Sequence, residues 1–405
     1  MPASSGSARG LSGLVLSVYL PTIVFAIGQG AVIPVVALTA DDLGAGAALA
    51  SLVVAVRGLG MVAFGVPAGM LIERWGEQAA MLIGTGLIVV SLGGAMIGSD
   101  VVVFAGSQFL MGCGWAVWQL ARLTYVTQVV APDQRGRALS TLGGVNRIGT
   151  FIGPFVGAVV LLALGNPGAY LLHAALTVGS LAMMMMVVVA VPAVAQPVRS
   201  AAQVPFAMVL GAHARVFATA GVGALCLNAL RASRSAVLPL WGARMGFDAA
   251  QVSLLYGISS AVDMTLFYPA GLMSDRIGRK AVAVPCMVLL AAGFLAVPLT
   301  SSFAGLAVAG TLMGLGNGLG SGIVMTLGAD FAPREGRASF LGVWRVVSDL
   351  GTSAGPLAAG VVSGVLTLGA ASVAVGGIGL VGAAVFCLAM PETLTRLPSG
   401  DPEPA

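Results

Sequence analysis

The sequence predicts an all-α membrane protein with about twelve transmembrane helices in two pseudo-symmetric six-helix bundles. Of its 405 residues, 58% are hydrophobic and only 8% are charged, whereas a soluble domain carries about 25% charged residues. Its many apolar stretches of about twenty residues have the length that crosses a bilayer as a helix. The third observation is an internal repeat, because Gly69-Met-Leu-Ile-Glu73-Arg74 returns as Gly271-Leu-Met-Ser-Asp275-Arg276, half a chain later.

The apolar stretches divide equally between the two halves. Those of the first half lie at about residues 12–38, 46–72, 79–98, 101–128, 138–164 and 168–192. Those of the second half lie at about residues 215–242, 250–274, 281–300, 303–329, 338–366 and 371–390. Polar residues separate the halves and follow the last stretch. We therefore expect bundles at 1–192 and 215–390, a cytoplasmic linker at 193–214 and a cytoplasmic tail at 391–405.

The distribution of basic residues predicts the orientation in the membrane. With a cytoplasmic N-terminus, twelve arginine and lysine residues outside the spans lie on the cytoplasmic side, and only Arg244 lies on the other. Cytoplasmic loops carry the excess of positive charge in membrane proteins. We therefore expect a multi-pass protein of the plasma membrane with both termini in the cytoplasm.

Several classes of function are excluded by residues that the chain lacks. The single lysine, Lys280, follows Arg279, so there is no phosphate-binding G-x-x-x-x-G-K-[ST] loop and uphill transport must use another gradient. His173, near a helix start, and His213, in a loop, are expected outside the deep membrane, and neither has a second metal ligand nearby. The spans hold no dense set of catalytic partners, and no basic block suits a nucleic acid. We expect neither an enzyme nor a cofactor.

Two motifs resemble those of the major facilitator superfamily, and the resemblance covers nearly the whole chain. The first is a loop motif, matched at every fixed position but Met273, and its key residues are Gly271, Asp275, Arg276, Gly278, Arg279 and Lys280. The second lies in the fifth span, resembles the motif of the family's exporters, and comprises Gly149, Gly153, Pro154 and Gly157. The resemblance implies a monomeric secondary transporter that works by alternating access, and it favours the branch of drug/proton antiporters.

The chain departs from that branch at three places. Gln108 stands where the fourth span should carry an arginine, and Gln29 stands where many exporters carry an acid. The first copy of the loop motif has Glu73 for aspartate and Glu77 at the start of the basic pair. Proton coupling, if present, must therefore use other residues.

Charged residues inside the spans are the strongest candidates for function. Each charge at mid-membrane costs about 2.5–3.5 kcal/mol on insertion scales, so it must face a cavity or a partner. The six arginines are Arg57, Arg122, Arg147, Arg231, Arg234 and Arg345. The two acids are Asp263 and Asp349. This arginine excess indicates an anionic or amphiphilic solute.

Polar residues on the first, fourth, seventh and tenth spans are candidates for contact with the substrate, since the resemblance implies that these spans line the cavity. The candidates are Gln29, Trp115, Gln119, Arg122, Asn228, Arg231, Arg234 and Asn317. On the fourth span they share one helix face. The alternative is structural: the polar groups stabilise helix packing, and Asp263 neutralises one of the paired arginines while water solvates the other.

Coupling to protons requires a group that titrates within the membrane, which leaves the two aspartates. The resemblance implies that the second span packs near the eleventh and the fifth near the eighth. Arg57 would then reach towards Asp349, and Arg147 towards Asp263. Static neutralisation is the alternative, and Arg345 could serve Asp349 from its own helix.

Proline residues in two equivalent helices suggest a place for bending. Gly153-Pro154 recurs as Gly355-Pro356, and proline removes a backbone hydrogen bond from a helix. We expect kinks at these positions, which either flex during transport or are static.

The sequence thus predicts proton-coupled efflux of a small molecule across the bilayer. Uptake of an organic anion remains open, as does a role as the membrane subunit of an ATP-driven complex.

Overall fold

Helices account for all regular secondary structure in the part of the chain described by the computed structural model, which comprises residues 14–131, 134–190, 206–333 and 335–394. In the first half, a π-helical turn, Val15–Tyr19, continues into Leu20–Val32 and Val35–Asp42, and together these form α1. The helix Gly46–Ile97 breaks at Gly76, where φ is 80°, into α2 (46–75) and α3 (77–97). Next comes α4, Val101–Val129. The helix Arg135–Ala190 breaks at Gly165, where φ is 64°, into α5 (135–164) and α6 (166–190).

The second half repeats this arrangement after a short helix, Phe206–Ala212. First comes α7, built from Ala214–Val216, the π-helical turn Phe217–Gly221 and Val222–Arg244. It is followed by α8, Ala249–Ile277, and by α9, Lys280–Ala296 with a 3₁₀ turn, Val297–Leu299. Then come α10, in two pieces, Phe303–Leu319 and Ile323–Phe331, and α11, Arg337–Val365. The last is α12, Leu368–Ala384 with the π-helical turn Val385–Ala389.

Twelve helices of membrane-spanning length result, six in each half. Eight helical stretches of the described chain are long and apolar enough to cross a bilayer, and two of these, each of 52 residues, contain two helices apiece. The remaining two are α8 and α11, of 29 residues each. The predicted fold class and the internal repeat are therefore confirmed. The expected boundary between residues 192 and 193 lies outside the described residues, as does most of the expected tail.

The repeat extends to the conformation of individual residues. The π-helical turns that open α1 and α7 begin at Val15 and Phe217, an offset of 202 residues. At the same offset, Gly76 and Gly278 both adopt positive φ, which glycine reaches without strain. The two halves are thus built with the same local chemistry at the same places.

Glycines of the exporter-like motif are helix-packing contacts. A Cβ atom added at Gly149 or Gly157 of α5 would lie 2.5 Å or 3.0 Å from the Cβ atoms of Ala26 and Ala31 in α1. The equivalent Gly351 of α11 packs in the same way against α7. Small residues let two helices approach closely in a membrane. The helical backbone continues through Pro154 and Pro356, and kinking at these prolines stays a prediction.

The two halves meet near one end of the bundle and separate towards the other. We call the end with the loops at 76 and 278–279 the motif end, and the opposite end, with Gly44 and Gly246, the far end. Towards the far end, Gly360 of α11 lies against Ala48 of α2. The Ser253 hydroxyl of α8 donates to the Pro154 carbonyl of α5 at 2.8 Å.

Contact between the halves is lost towards the motif end. Gly58 of α2 packs against Thr352 and Ser353 of α11. Gly65 and Gly69 lie on the same face of α2, but a Cβ atom added at either would have no atom of the described residues within 4 Å. Two helices that touch at Gly58 have therefore diverged two to three turns later. The space between the halves opens towards the motif end.

Candidate functional site

An ion pair joins the two halves at the middle of the bundle. Nη1 of Arg147, in α5, lies 3.0 Å from Oδ1 of Asp263, in α8. The amide of Asn317, in α10, donates to the other carboxylate oxygen at 2.5 Å. The ring of Phe267 covers the Arg147 guanidinium at 4.7 Å. Asp263 is thus held by one charged and one neutral donor, from opposite halves, and its side chain is 15% exposed.

A second arginine caps a break in α10. The helix stops at Leu319 and restarts at Ile323 after Gly322, where φ is 80°. Such a break leaves backbone carbonyls without intrahelical partners. Nη2 of Arg231, in α7, donates to the Gly320 carbonyl at 2.7 Å. The Arg231 charge also lies within electrostatic range of Asp263.

The positive charge here exceeds the negative charge. Arg234, one turn along α7, is 5% exposed and lies over the Tyr256 ring at 4.8 Å, and its Nη1 has no hydrogen-bond partner among the described residues. Arg57, in α2, lies in electrostatic range of the same tyrosine. Of these four arginines, only Arg147 forms an ion pair in the described chain, and its partner is Asp263. We call Arg57, Arg147, Arg231, Arg234 and Asp263 the central cluster.

Arg57 does not pair with Asp349, so that expectation was wrong. Asp349 instead binds Arg345 of its own helix, with Nε and Oδ2 3.3 Å apart. The reason is depth: Gly58 lies level with Thr352 and Ser353, which places Asp349 about one turn nearer the motif end. The observed contact is the alternative that the sequence left open, in which Arg345 neutralises Asp349.

The polar stripe on α4 is divided between two environments. Arg122 is 7% exposed and lies inside the N-terminal half, where its Nη1 donates to Thr22 Oγ1 of α1 at 3.1 Å. Its guanidinium lies 4.0 Å from the centre of the Trp118 ring. Trp115 and Gln119 are half-buried. Arg122 is therefore separated from the central cluster, contrary to the expectation of a single cavity face.

The remaining candidates serve individual helix contacts. Gln29 of α1 is buried. The Asn228 amide, in α7, donates to the Ser348 carbonyl of α11 at 2.9 Å. These residues are not brought together with Asp263, whereas Asn317 is.

His173 lies deeper than the sequence indicated. It is in the second turn of α6, 1% exposed, beside Gly28 and the Phe25 ring. Its surroundings are set by the packing of α6 against α1, which short-range sequence patterns do not reveal. Neither ring nitrogen has a hydrogen-bond partner in the described chain.

The loop motif forms a network that the sequence did not reveal in full. Arg279 binds Asp275 at 3.1 Å and Asp330, at the end of α10, at 3.0 Å. The Glu392 carboxylate accepts hydrogen bonds from the backbone N–H groups of Arg279 and Lys280 at 2.8 and 3.0 Å, and so caps the start of α9. Partial burial alone raises the pKa of Glu392, but its backbone N–H donors together lower that pKa below the ordinary value. The stretch Pro391-Glu392-Thr393 is the sequence feature that could have indicated this contact.

The described residues contain no group of three or more His, Cys, Asp or Glu side chains that could hold a metal ion. The charged groups at the centre are those of the central cluster, and Tyr256 and Cys286 lie beside its arginines. What the arrangement offers is electrostatic: one carboxylate accompanied by an excess of fixed positive charge.

Comparison with known proteins identifies the fold. The family model described as "Major Facilitator Superfamily" matches residues 18–262 and 220–405. A multidrug resistance protein, MdtH, of Enterobacter sp. (strain 638) is 24% identical over 326 residues, covering 78% of this chain and 77% of the relative.

Solved structures agree on the architecture. A POT family transporter in complex with a thioalcohol-conjugated peptide superposes with a TM-score of 0.77 at 12% identity, covering 93% of this chain and 96% of that one. The nucleoside transporter NupG gives a TM-score of 0.72 at 14% identity, with 92% of this chain and 98% of that one covered. At these identities the likeness concerns the fold alone. With twelve helices in two repeated halves and a family model matched along its length, the chain belongs to the major facilitator superfamily of membrane transporters, which are carriers and not enzymes.

Proposed function

We propose that this protein is a proton-coupled secondary transporter that exports small organic anions by alternating access. It acts as a monomer in the plasma membrane, with the motif end and both termini in the cytoplasm. The space between the halves then opens to the cytoplasm, where an exporter collects its substrate. The observation that carries the proposal is the central cluster, in which Arg147, Arg231 and Arg234 lie near the Asp263 carboxylate and Arg57 lies near Tyr256.

The charge imbalance supports an anionic substrate. Arg57, Arg231 and Arg234 have no ion-pair partner among the described residues. An unpaired charge at this depth is costly, so a negative ligand that enters the cluster gains a strong interaction. Arginine also binds carboxylates through two parallel N–H groups. Tyr256 lies against the Arg234 guanidinium and Phe267 against that of Arg147, which favours a carboxylate attached to an aromatic ring.

The ion pair between the halves supports proton coupling. Arginine stays charged under all relevant conditions, so Asp263 is the member of the pair that can change its charge. Taking up a proton removes the attraction to Arg147 and leaves the Asn317 contact weaker. The two halves then separate more easily at this level, which is the change that alternating access requires.

Export is supported by two further observations. The Gly149, Gly153, Pro154 and Gly157 motif resembles that of exporters, and the name of the relative MdtH denotes multidrug resistance. An interior that is electrically negative also drives anions outwards, by about 2.3 kcal/mol per charge for each 100 mV. The membrane potential and the proton gradient would then act together in proton-anion exchange.

Uptake of an organic anion together with a proton is the second candidate. The specific observation is that Asp263 shares its arginines with the proposed substrate site. Protonating Asp263 frees positive charge, so a proton and an anion would bind more strongly together than apart. An exchanger requires the opposite, that the proton and the substrate exclude each other during the cycle.

The test uses purified protein and a pair of matched probes. Benzoate should raise the unfolding temperature, because a ligand stabilises the state that it binds, whereas neutral benzamide should have no effect. Arg234→Gln should abolish the response to benzoate. Equal responses to both probes would contradict the anionic substrate.

Direction is tested in proteoliposomes loaded with radiolabelled benzoate. If the protein exchanges benzoate for protons, a proton gradient directed into the liposomes should accelerate benzoate efflux. Efflux that is accelerated by a proton gradient directed out of the liposomes would instead support uptake of the anion together with a proton. Transport that requires added ATP would contradict both and favour a subunit of an ATP-driven complex.

A further inference from the structure

A small pocket lies inside the N-terminal half, away from the central cluster, where α1, α3, α4 and α6 meet. Its volume is about 10 Å³, and its walls include Thr22, Met81, Trp118, Arg122 and Met184. A space of this size holds one particle about as large as a water molecule. Two of its walls are methionine side chains, and two are buried hydrogen-bond donors.

The N–H groups of these two donors lack a hydrogen-bond acceptor in the described chain. Nε of Arg122 and Nε1 of Trp118 are buried and have no hydrogen-bond partner among the described residues. The two side chains are 7% and 1% exposed. Guanidinium and indole groups are donors only, so neither can satisfy the other. Whatever completes this pocket must be an acceptor.

The Thr22 hydroxyl group does not fill that role, and Ser17, which also lines the pocket, is not a partner of either N–H group. Thr22 Oγ1 accepts a hydrogen bond from Nη1 of Arg122 at 3.1 Å and donates its own proton to the Val18 carbonyl at 2.6 Å. Its hydrogen-bonding capacity is directed to Nη1 and to the helix backbone, not to the two orphaned N–H groups.

Arg122 also lacks a compensating charge. It forms no ion pair in the part of the chain that the structure describes. The Trp118 ring, 4.0 Å away, attracts the face of the guanidinium, a contact that reaches about 2 kcal/mol when desolvated. That is less than the cost of burying an isolated ion. The Nε–H group, which lies in the guanidinium plane and has no partner among the described residues, is available to an anion.

We propose that this pocket binds a chloride ion, held by the Nε–H group of Arg122 and the Nε1–H group of Trp118. A monatomic anion fits the volume, accepts both hydrogen bonds and neutralises the buried charge. A water molecule would accept the same bonds but would leave the charge of Arg122 uncompensated. The site lies within one half and does not depend on the transport function proposed above.

Thermal unfolding of the purified full-length protein tests the site. The unfolding temperature is measured while sodium chloride replaces sodium gluconate at constant ionic strength, so that general screening stays fixed. Chloride should raise it, in a saturable manner, by about 2 °C or more. The same unfolding temperature in both salts would overturn the proposal and leave water in the pocket.

Two variants locate the ion. Trp118→Phe keeps the ring but removes the indole N–H group, and it should lose most of the chloride response. Trp115→Phe, in the same aromatic cluster with its ring centre 5.4 Å from that of Trp118, is the matched control and should keep it. An unchanged response in Trp118→Phe would overturn the assignment.

A measurement on the wild-type protein avoids dependence on variants. Bromide quenches indole fluorescence on contact, so bromide in this pocket should quench Trp118 in a saturable manner. Chloride should reverse that quenching competitively, whereas gluconate should not. Quenching that rises linearly with bromide and is insensitive to chloride would contradict a binding site.

Discussion

Two interfaces join the halves of this transporter, α5 with α8 and α2 with α11, and the repeat makes them structural equivalents. At the 202-residue offset, Arg147 corresponds to Asp349, and Asp263 corresponds to Met61. The α5–α8 interface carries an ion pair, whereas the α2–α11 interface packs Gly58 against Thr352 and Ser353. The same geometry therefore holds the halves together through charge on one side and through close packing on the other.

The difference explains why the two membrane aspartates have different environments. Asp263 meets an arginine from the opposite half, and its side chain is 15% exposed. In the second interface, Met61 occupies the position equivalent to Asp263, and Asp349 binds Arg345 one turn away, with exposures of 28% and 39% for the two side chains. Protonation of Asp263 changes a contact between the halves, whereas protonation of Asp349 changes a contact within one helix. We therefore propose that the proton coupling suggested above uses the α5–α8 interface.

Among changes to residues other than the two aspartates, the largest effect is expected from Arg147→Ala. Removing one partner of a buried ion pair costs about 3–5 kcal/mol, and we expect about 2 kcal/mol here because both groups are partly exposed. Uphill transport should fall roughly thirtyfold. Arg147→Lys is the control and should retain part of the activity, since it keeps the charge but loses the planar guanidinium. Wild-type accumulation by Arg147→Ala would contradict the role of the pair.

Met61→Arg should convert the second interface into a copy of the first. The new guanidinium would face Asp349 as Arg147 faces Asp263, and the added attraction between the halves should slow reopening. An ion pair of about 1 kcal/mol corresponds to a roughly fivefold lower turnover. Combining it with Asp349→Asn should restore the rate. If the double variant stays as slow as Met61→Arg, the defect comes from packing and the equivalence of the interfaces fails.

Asn317→Ala should have a smaller effect, because it removes a neutral donor from Asp263 and leaves the ion pair. A hydrogen bond to a charged group contributes about 1.5 kcal/mol or somewhat more when buried, and partial exposure of the carboxylate reduces this. We expect uphill transport to fall about fivefold. The matched control is Asn228→Ala, which removes the amide that donates to the Ser348 carbonyl within the second half. It should leave coupling intact. Equal losses of coupling in the two variants would contradict this distinction.

Arg345→Ala should have the smallest effect. Exposed pairs one helical turn apart contribute about 0.3–0.5 kcal/mol, so uphill transport should change by less than about twofold. A loss as large as that of Arg147→Ala would show that both interfaces take part in coupling.

The fold and part of this comparison could be predicted from sequence because membrane helices have strong signals. Apolar length and the 202-residue repeat set the twelve helices, and helix spacing places Arg147 and Asp263 at similar depth. Spacing did not show that Arg57 lies about one turn away from the level of Asp349, because the vertical offset between α2 and α11 is set by how Gly58 packs.

Residues whose roles depend on distant partners were harder to predict. Arg231 binds a carbonyl at a break in α10 that glycine residues suggest but do not locate, and Glu392 caps a helix 112 residues earlier in the chain. Arg122 shares a helix face with Trp115 and Gln119, yet α1 covers it. Sequence periodicity identifies the face of a helix, and the neighbouring helices determine what that face contacts.

The most direct test of the account compares Asp263→Asn with Asp349→Asn in proteoliposomes, measuring both accumulation of substrate driven by a pH gradient and exchange of labelled for unlabelled substrate. Asp263→Asn should lose accumulation while exchange survives, because the carrier still alternates but no longer carries a proton. Asp349→Asn should keep both activities. Accumulation by Asp263→Asn at the wild-type level would contradict the assignment of coupling to the α5–α8 interface.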